Sequence, residues 1–141
     1  MLRATLLLLT AAVAYGQIKL PPAANVKVDF LKDVQPILAQ KCHSCHGDTV
    51  QQSGLRLDHR QNALRGGDYG PVIVPGKSAE SKLIRRVVNG DGGLQMPPTG
   101  PLSDDEIGIL RAWIDQGADF VLEVEEAPAK PAKAKSKAKK V

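Results

Sequence analysis

The stretch that most constrains this chain is Cys42-His43-Ser44-Cys45-His46. Two thiols three positions apart share one face of a helical turn. They can therefore both reach the vinyl groups on one edge of a porphyrin, while the ring of His46 turns under the iron. CxxCH is the pattern for covalent haem attachment. Two other uses of the same residues have to be weighed. Zinc would need four ligands, usually as two separated pairs, and His59 is the only histidine outside the motif. A thioredoxin-like redox pair would need a strand and helix context, and the flanking residues do not supply one.

The chain has 141 residues, enough for one domain, and both ends read as segments outside it. Residues 1–16 carry Arg3, the apolar run Leu6 to Ala14 and small residues before Gln17, the pattern of a secretory signal peptide. The apolar run is shorter than the roughly 20 residues that span a bilayer. Cleavage is expected after Gly16, with Ala14 as the alternative. Residues 17–28 contain Pro21-Pro22 and form an extended lead-in, residues 29–122 form the domain, and residues 123–141 form a disordered Lys/Ala/Pro-rich tail. The charge divides with these boundaries. Residues 17–126 hold 12 Lys and Arg against 15 Asp and Glu, while residues 127–141 add six lysines and no acid. The basic balance is thus a tail property. It suits a solubilising terminus or weak contact with an anionic surface better than specific nucleic-acid recognition. Export suits covalent haem, which is attached outside the cytoplasmic membrane in bacteria. The two cysteines are both in the motif, and only Phe30, Tyr69, Trp113 and Phe120 supply aromatic bulk beyond the signal. Another apolar body is needed inside, so the haem-free chain is expected to be largely unstructured.

Within the domain, Phe30, Val34, Ile37 and Leu38 recur at helical spacing. Pro36 belongs in a first turn, which sets the expected start near Asp33 as N-cap and the end at Cys42. Gly54 to Asp58 reads as a short extended piece. Asp58 with Gln61 resembles a capping box for a short helix from His59 to Leu64, ended by Gly66-Gly67. Residues 68–76 form a Pro/Gly-rich loop in which Val72, Ile73 and Val74 are an apolar patch for a porphyrin face or else a short buried strand. Ser78 or Ser81 caps a third helix whose apolar face is Leu83, Ile84, Val87 and Val88, stopped by Asn89-Gly90. Met96 is the one methionine beyond the signal. A lone Met is usually core filling, but this one sits on a loop before Pro97-Pro98, stiff enough to hold its sulfur against an iron. The last helix has a Ser103/Glu106 capping box, acids in its first turn and Gly117 as its stop. Its stripe Ile107, Leu110 and Ile114, with Trp113 beside it, is expected to cross the first helix near Val34 and Leu38. Core packing is the simple role for Trp113, a propionate contact the alternative.

From Phe30 to Ala118 the chain resembles class I cytochromes c, and most closely the planctomycete-type cytochrome c domain. The resemblance rests on Phe30, Asp33-Val34, Pro36-Ile37-Leu38, Cys42 to Gly47 and Gly54 to Asp58. It continues through Gly66-Gly67, Gly70-Pro71, Ile73 to Gly76, Ser81, Leu83-Ile84, Met96-Pro97-Pro98 and Leu110 to Ala118. It implies an all-α cytochrome c fold, with three to four main helices and Gly/Pro-rich loops wrapped around one covalent haem c. Cys42 and Cys45 would be the thioether sites, His46 the proximal iron ligand and Met96 the distal one. In that family the module is often one part of a much longer protein, so the activities of such proteins are not carried over.

The expected function is electron transfer in the bacterial periplasm, by a protein that is soluble or peripherally membrane-associated and that meets a donor and an acceptor protein. No catalytic residue is assigned. Two rival readings stand beside it. A small peroxidase-like haem enzyme would need a distal acid or base, for which His43 and His59 are the imidazoles, although His43 is expected to face solvent. A haem-based sensor would need a labile sixth ligand. Arg56, Arg60 and Arg65 are candidates to pair with propionates, with solvated surface charge the simpler reading, and a carbonyl from residues 70–75 is a candidate to orient His46.

Overall fold

Helical structure begins at Asp29, four residues earlier than the sequence suggests. In a computed structural model, which describes residues 19–120, the Asp29 carboxylate accepts from the Lys32 N–H at 3.0 Å, and Asp33 accepts from the Asp29 N–H at 2.9 Å. Asp33 is therefore the reciprocal partner of the cap and not the cap itself. Phe30–Val34 is a π-helical turn, and α1, Gln35–Lys41, follows it with Pro36 in its first turn. Pro36 has no N–H to give and its ring crowds the carbonyl four residues back. A turn widened to i→i−5 bonding lets the helix start before the proline without that clash.

Three further helices complete the fold: α2, Arg60–Arg65; α3, Lys82–Asn89; and α4, Asp104–Asp115. Single 3-10 turns lie at Gln52–Gly54 and Ser78–Glu80. Among the described residues there is no strand, so the all-helical expectation holds, and residues 72–74 are loop. No described helix is long and apolar enough to cross a membrane. The proposed signal peptide (1–16) and tail (123–141) lie outside the described residues.

α4 is the organising helix. Ser103 and Glu106 form the expected capping box, with the Glu106 N–H donating to Ser103 Oγ at 3.2 Å and the Ser103 N–H to the carboxylate at 2.8 Å. Its buried face, Ile107, Leu110, Trp113 and Ile114, meets the π-turn, which carries Phe30 and Val34, so the close crossing lies one turn before Leu38. Phe30, Trp113 and Phe120 stack as one cluster, with centroids 4.8 to 5.8 Å apart. Trp113 also donates from Nε1 to the Asp119 carbonyl at 2.9 Å, the core role that was the simpler expectation. The lead-in lies along α4. Gln116 grips it as a strand partner would, accepting from the Val28 N–H at 3.0 Å and donating to the Val26 carbonyl at 2.8 Å. Arg111 reaches the Pro21 carbonyl.

Two caps differ from expectation. Asp58 makes no cap for α2, because its carboxylate is taken by Arg56 at 2.6 and 3.1 Å. Ser81 stands at the N-cap of α3 without capping it. Its buried hydroxyl accepts from the Val74 N–H at 2.9 Å and donates to the Lys77 carbonyl at 3.0 Å, which ties the 68–76 loop to the start of α3.

Candidate functional site

The end of α1 passes directly into the motif. The Cys42 and His43 N–H groups both donate to Leu38 O, at 2.9 and 3.0 Å. One more turn follows, with the Cys45 and His46 N–H groups donating to Cys42 O at 3.1 and 2.8 Å. The turn is braced from outside by Gln52 N–H on Cys45 O and Leu57 N–H on His46 O, at 3.0 and 2.8 Å. Gly47 closes it where a Cβ would run into the His43 carbonyl.

Cys42, Cys45 and His46 line a cavity of about 460 Å³, and Met96, fifty positions further along, lines it too. This lies inside the range of about 300–1,000 Å³ usual for cofactor sites. Its apolar walls come from Leu55 and Leu57, from Val72, from Leu83 and Val87 on α3, and from Pro97 and Pro98. Of the apolar patch at 72–74 only Val72 faces it, since Ile73 is packed into the core. The Met96–Pro97 peptide is cis.

The donor set fits a covalent haem: two thiols on one turn, an imidazole beside them and a thioether, all lining one largely apolar cavity. His46 Nδ1 is buried without a hydrogen-bond partner, so the carbonyl expected from residues 70–75 is not there. Burial, with the neighbouring Cys45 adding to it, pushes the Cys42 thiol up to about 11. Redox-active CxxC pairs are shifted the other way. No three His, Cys, Asp or Glu side chains come together as a metal site among the described residues.

The other candidates fall elsewhere. His59 is exposed at the N-cap of α2, and His43 is half-buried with its Nε2 buried and unpartnered, in place of the solvent-facing ring expected. Neither lines the cavity. Arg60 and Arg65 are exposed and off the wall. Arg56 is off it as well, held by Asp58 and by Asp48 at 2.9 Å, and its hydrogen bond holds the Asp58 carboxyl below the usual carboxylate range. The cations on the wall are Lys41, Lys82 and Arg86, which the sequence reading missed. A signal was available: Lys82 and Arg86 are four apart on α3, as are Leu83 and Val87, so one helix edge carries an apolar row beside a basic row.

An all-helical domain with a CxxCH turn on the wall of an apolar cavity is a cytochrome c domain, a haem-based electron carrier. Within that class the comparison is specific: residues 42–100 match the family model of Planctomycete cytochrome C. The match begins at Cys42 and takes in Met96. Searches of curated proteins and of solved structures returned no match.

Proposed function

We propose that Cys42 and Cys45 hold one haem through thioether bonds, that His46 and Met96 are its two iron ligands, and that the protein carries single electrons between partner proteins in the bacterial periplasm. The observation that carries this reading is the convergence of Met96 with the CxxCH turn around one largely apolar cavity. The haem supplies the chemistry, a one-electron ferric–ferrous couple. The chain's part is to fix His46 on a braced turn and bring Met96 to the same cavity, to keep water from the iron with Leu55, Leu57, Val72, Leu83 and Val87, and to leave Lys41 and Lys82 as counter-charges for carboxylates. A carrier with two fixed ligands changes oxidation state with little rearrangement. The peroxidase-like rival loses its support with His43 and His59 off the wall.

The test is an absorption spectrum of exported, matured protein, oxidised and dithionite-reduced, for wild type and Met96→Ala. A sharp low-spin reduced spectrum with a weak near-infrared sulfur-to-iron band, that band being lost in the variant, is expected. An unchanged band in Met96→Ala would remove Met96 as ligand, and matured protein without haem would overturn the whole reading.

A further inference from the structure

The segment that carries Met96 has little to hold it in place. The six residues from Gly90 to Gln95 separate it from α3, and four of these six are exposed, with Leu94 63% accessible. Asp91 and Gly92 both have positive φ, 46° and 73°. Pro97 has no N–H to contribute. Several ties close this loop, among them Gln95 Nε2 donating to the Val87 carbonyl at 3.5 Å and Arg85 paired with Asp91 at 3.2 Å, but four of them meet at one residue of α3. The carbonyl of Arg86 accepts from the Gly90 N–H at 3.2 Å and from the Met96 N–H at 3.0 Å. Its guanidinium Nη1 donates to the Gly90 carbonyl at 2.7 Å and to the Leu94 carbonyl at 3.3 Å. Arg86 thus fastens the loop at its first residue and again at the residues around Met96. Gly93 is the gap that admits the guanidinium, because a Cβ there would fall on Nη1 and lie 3.1 Å from Cζ.

From this geometry we infer that Arg86 is the positioning residue for the distal ligand, a clamp that keeps the Met96 loop closed over the cavity and sets how readily another ligand displaces the sulfur. The inference rests on the reading of Met96 as an iron ligand. Arginine suits the task because its planar group is always charged and offers several donors in fixed directions, so one side chain reaches two carbonyls. Charge-assisted bonds of this kind are the stronger class. A lysine would keep the charge but not the planar, fixed pair of N–H directions.

The experiment uses matured holoprotein and titrates imidazole as the competing ligand, followed by loss of the sulfur-to-iron band. The apparent affinity of such a competitor scales with the population in which the loop is open. Arg86→Gln is expected to bind imidazole about tenfold more tightly than wild type, equivalent to about 1.4 kcal/mol, with Arg86→Lys in between. Gly93→Ala dislodges the guanidinium while leaving every charge in place, and is expected to match Arg86→Gln. Should Arg86→Gln fail to mature, Gly93→Ala decides alone. A second readout is amide exchange, faster at Gly93 and Met96 in both variants and unchanged in α4. A general loss of stability would move α4 too, and that outcome would overturn the clamp. Wild-type imidazole affinity in both variants would also overturn it. A shifted reduction potential with unchanged imidazole affinity would assign the guanidinium to a propionate instead. Met96→Ala is the control, titrated through the shift of its main haem absorption band: an affinity equal to wild type there would bring down the ligand reading itself, separately from the role of Arg86.

Discussion

The two sides of the domain complete their interiors in different ways. Around α4 the chain fills its own core: Phe30, Trp113 and Phe120 interlock, and Val34, Leu110 and Ile114 have no accessible surface. Around the CxxCH turn the side chains line a cavity of about 460 Å³, with Leu55, Val72 and Met96 only half-buried. One side is held together by its own packing, and the other is shaped to be finished by a bound group. The scarcity of aromatics in the sequence is thus local in its effect, since three of the four beyond the signal stand on one side.

The sharpest way to break this contrast is to remove the group. At ~24 cal/mol per Å³ of cavity, an unfilled space of this size would cost up to about 11 kcal/mol. That is comparable to the whole stability of a domain, about 5–15 kcal/mol; the figure is an upper bound because water can enter. Cys42→Ser with Cys45→Ser, which prevents attachment, is expected to abolish the cooperative thermal transition that the matured protein shows in calorimetry. A native-like melt of that haem-free variant would mean that the α4 side suffices to fold the chain.

The complementary cut is on the packed side. Trp113→Ala removes the ring packed against both Phe30 and Phe120 and is expected to cost about 3–5 kcal/mol, read as a lower denaturant midpoint. The reduced haem spectrum below the transition should stay as in wild type, because Trp113 does not line the cavity. A spectral change in the folded variant would show that the two sides are not separable. Between them stands Ser81, whose hydroxyl joins the Val74 N–H to the Lys77 carbonyl. Ser81→Ala leaves that part-buried N–H without its partner, at about 1 kcal/mol. It is expected to lower the midpoint and to speed exchange of the Val74 amide before that of α4; equal exchange at both would make Ser81 part of the α4 core.

What was legible in the sequence follows the same divide between local and tertiary causes. The capping box of α4, its stripe, the Gly90 stop and the CxxCH turn each depend on residues within a few positions of one another, and each is present. Met96 was legible for a different reason: beyond the signal it is the one thioether, and proline follows it. The start of the first helix was misread because Asp29 and Asp33 are four apart and either could cap; Pro36 favours the later start, and only a π-turn reconciles it with the earlier one. Asp58 was misread because a carboxylate two residues from Arg56 satisfies a cation before it reaches a helix end. The spacing of Arg86 with Lys82 marked it as a residue of the cavity edge, but nothing local marked its hold on the Met96 loop. Its partners, Gly90, Leu94 and Met96, are reached by the fold of a glycine-rich loop that no periodicity describes.

The smallest effect tests whether the helix that organises the packed side is also electrostatically anchored. The Glu106 carboxyl is held below its ordinary value of 4.5 chiefly by the Ser103 N–H, then by the Ser103 hydroxyl, with Lys41 at 3.7 Å adding attraction. The folded state therefore prefers the ionised form. This contribution is complete above about pH 4.5, the ordinary value, and is lost as the pH falls through the lower folded value. Glu106→Gln keeps an acceptor for Ser103 but gives up the charge, so the variant should be less stable at neutral pH by about 1 kcal/mol or less. The measurement is the difference in urea midpoint between wild type and Glu106→Gln, followed from neutral pH into acid. Subtracting the variant cancels the other carboxylates, and the difference should close as the pH falls below about 4.5. A difference that stays constant into acid would show that the capping box works through its neutral hydrogen bonds alone, leaving packing as the sole anchor of α4.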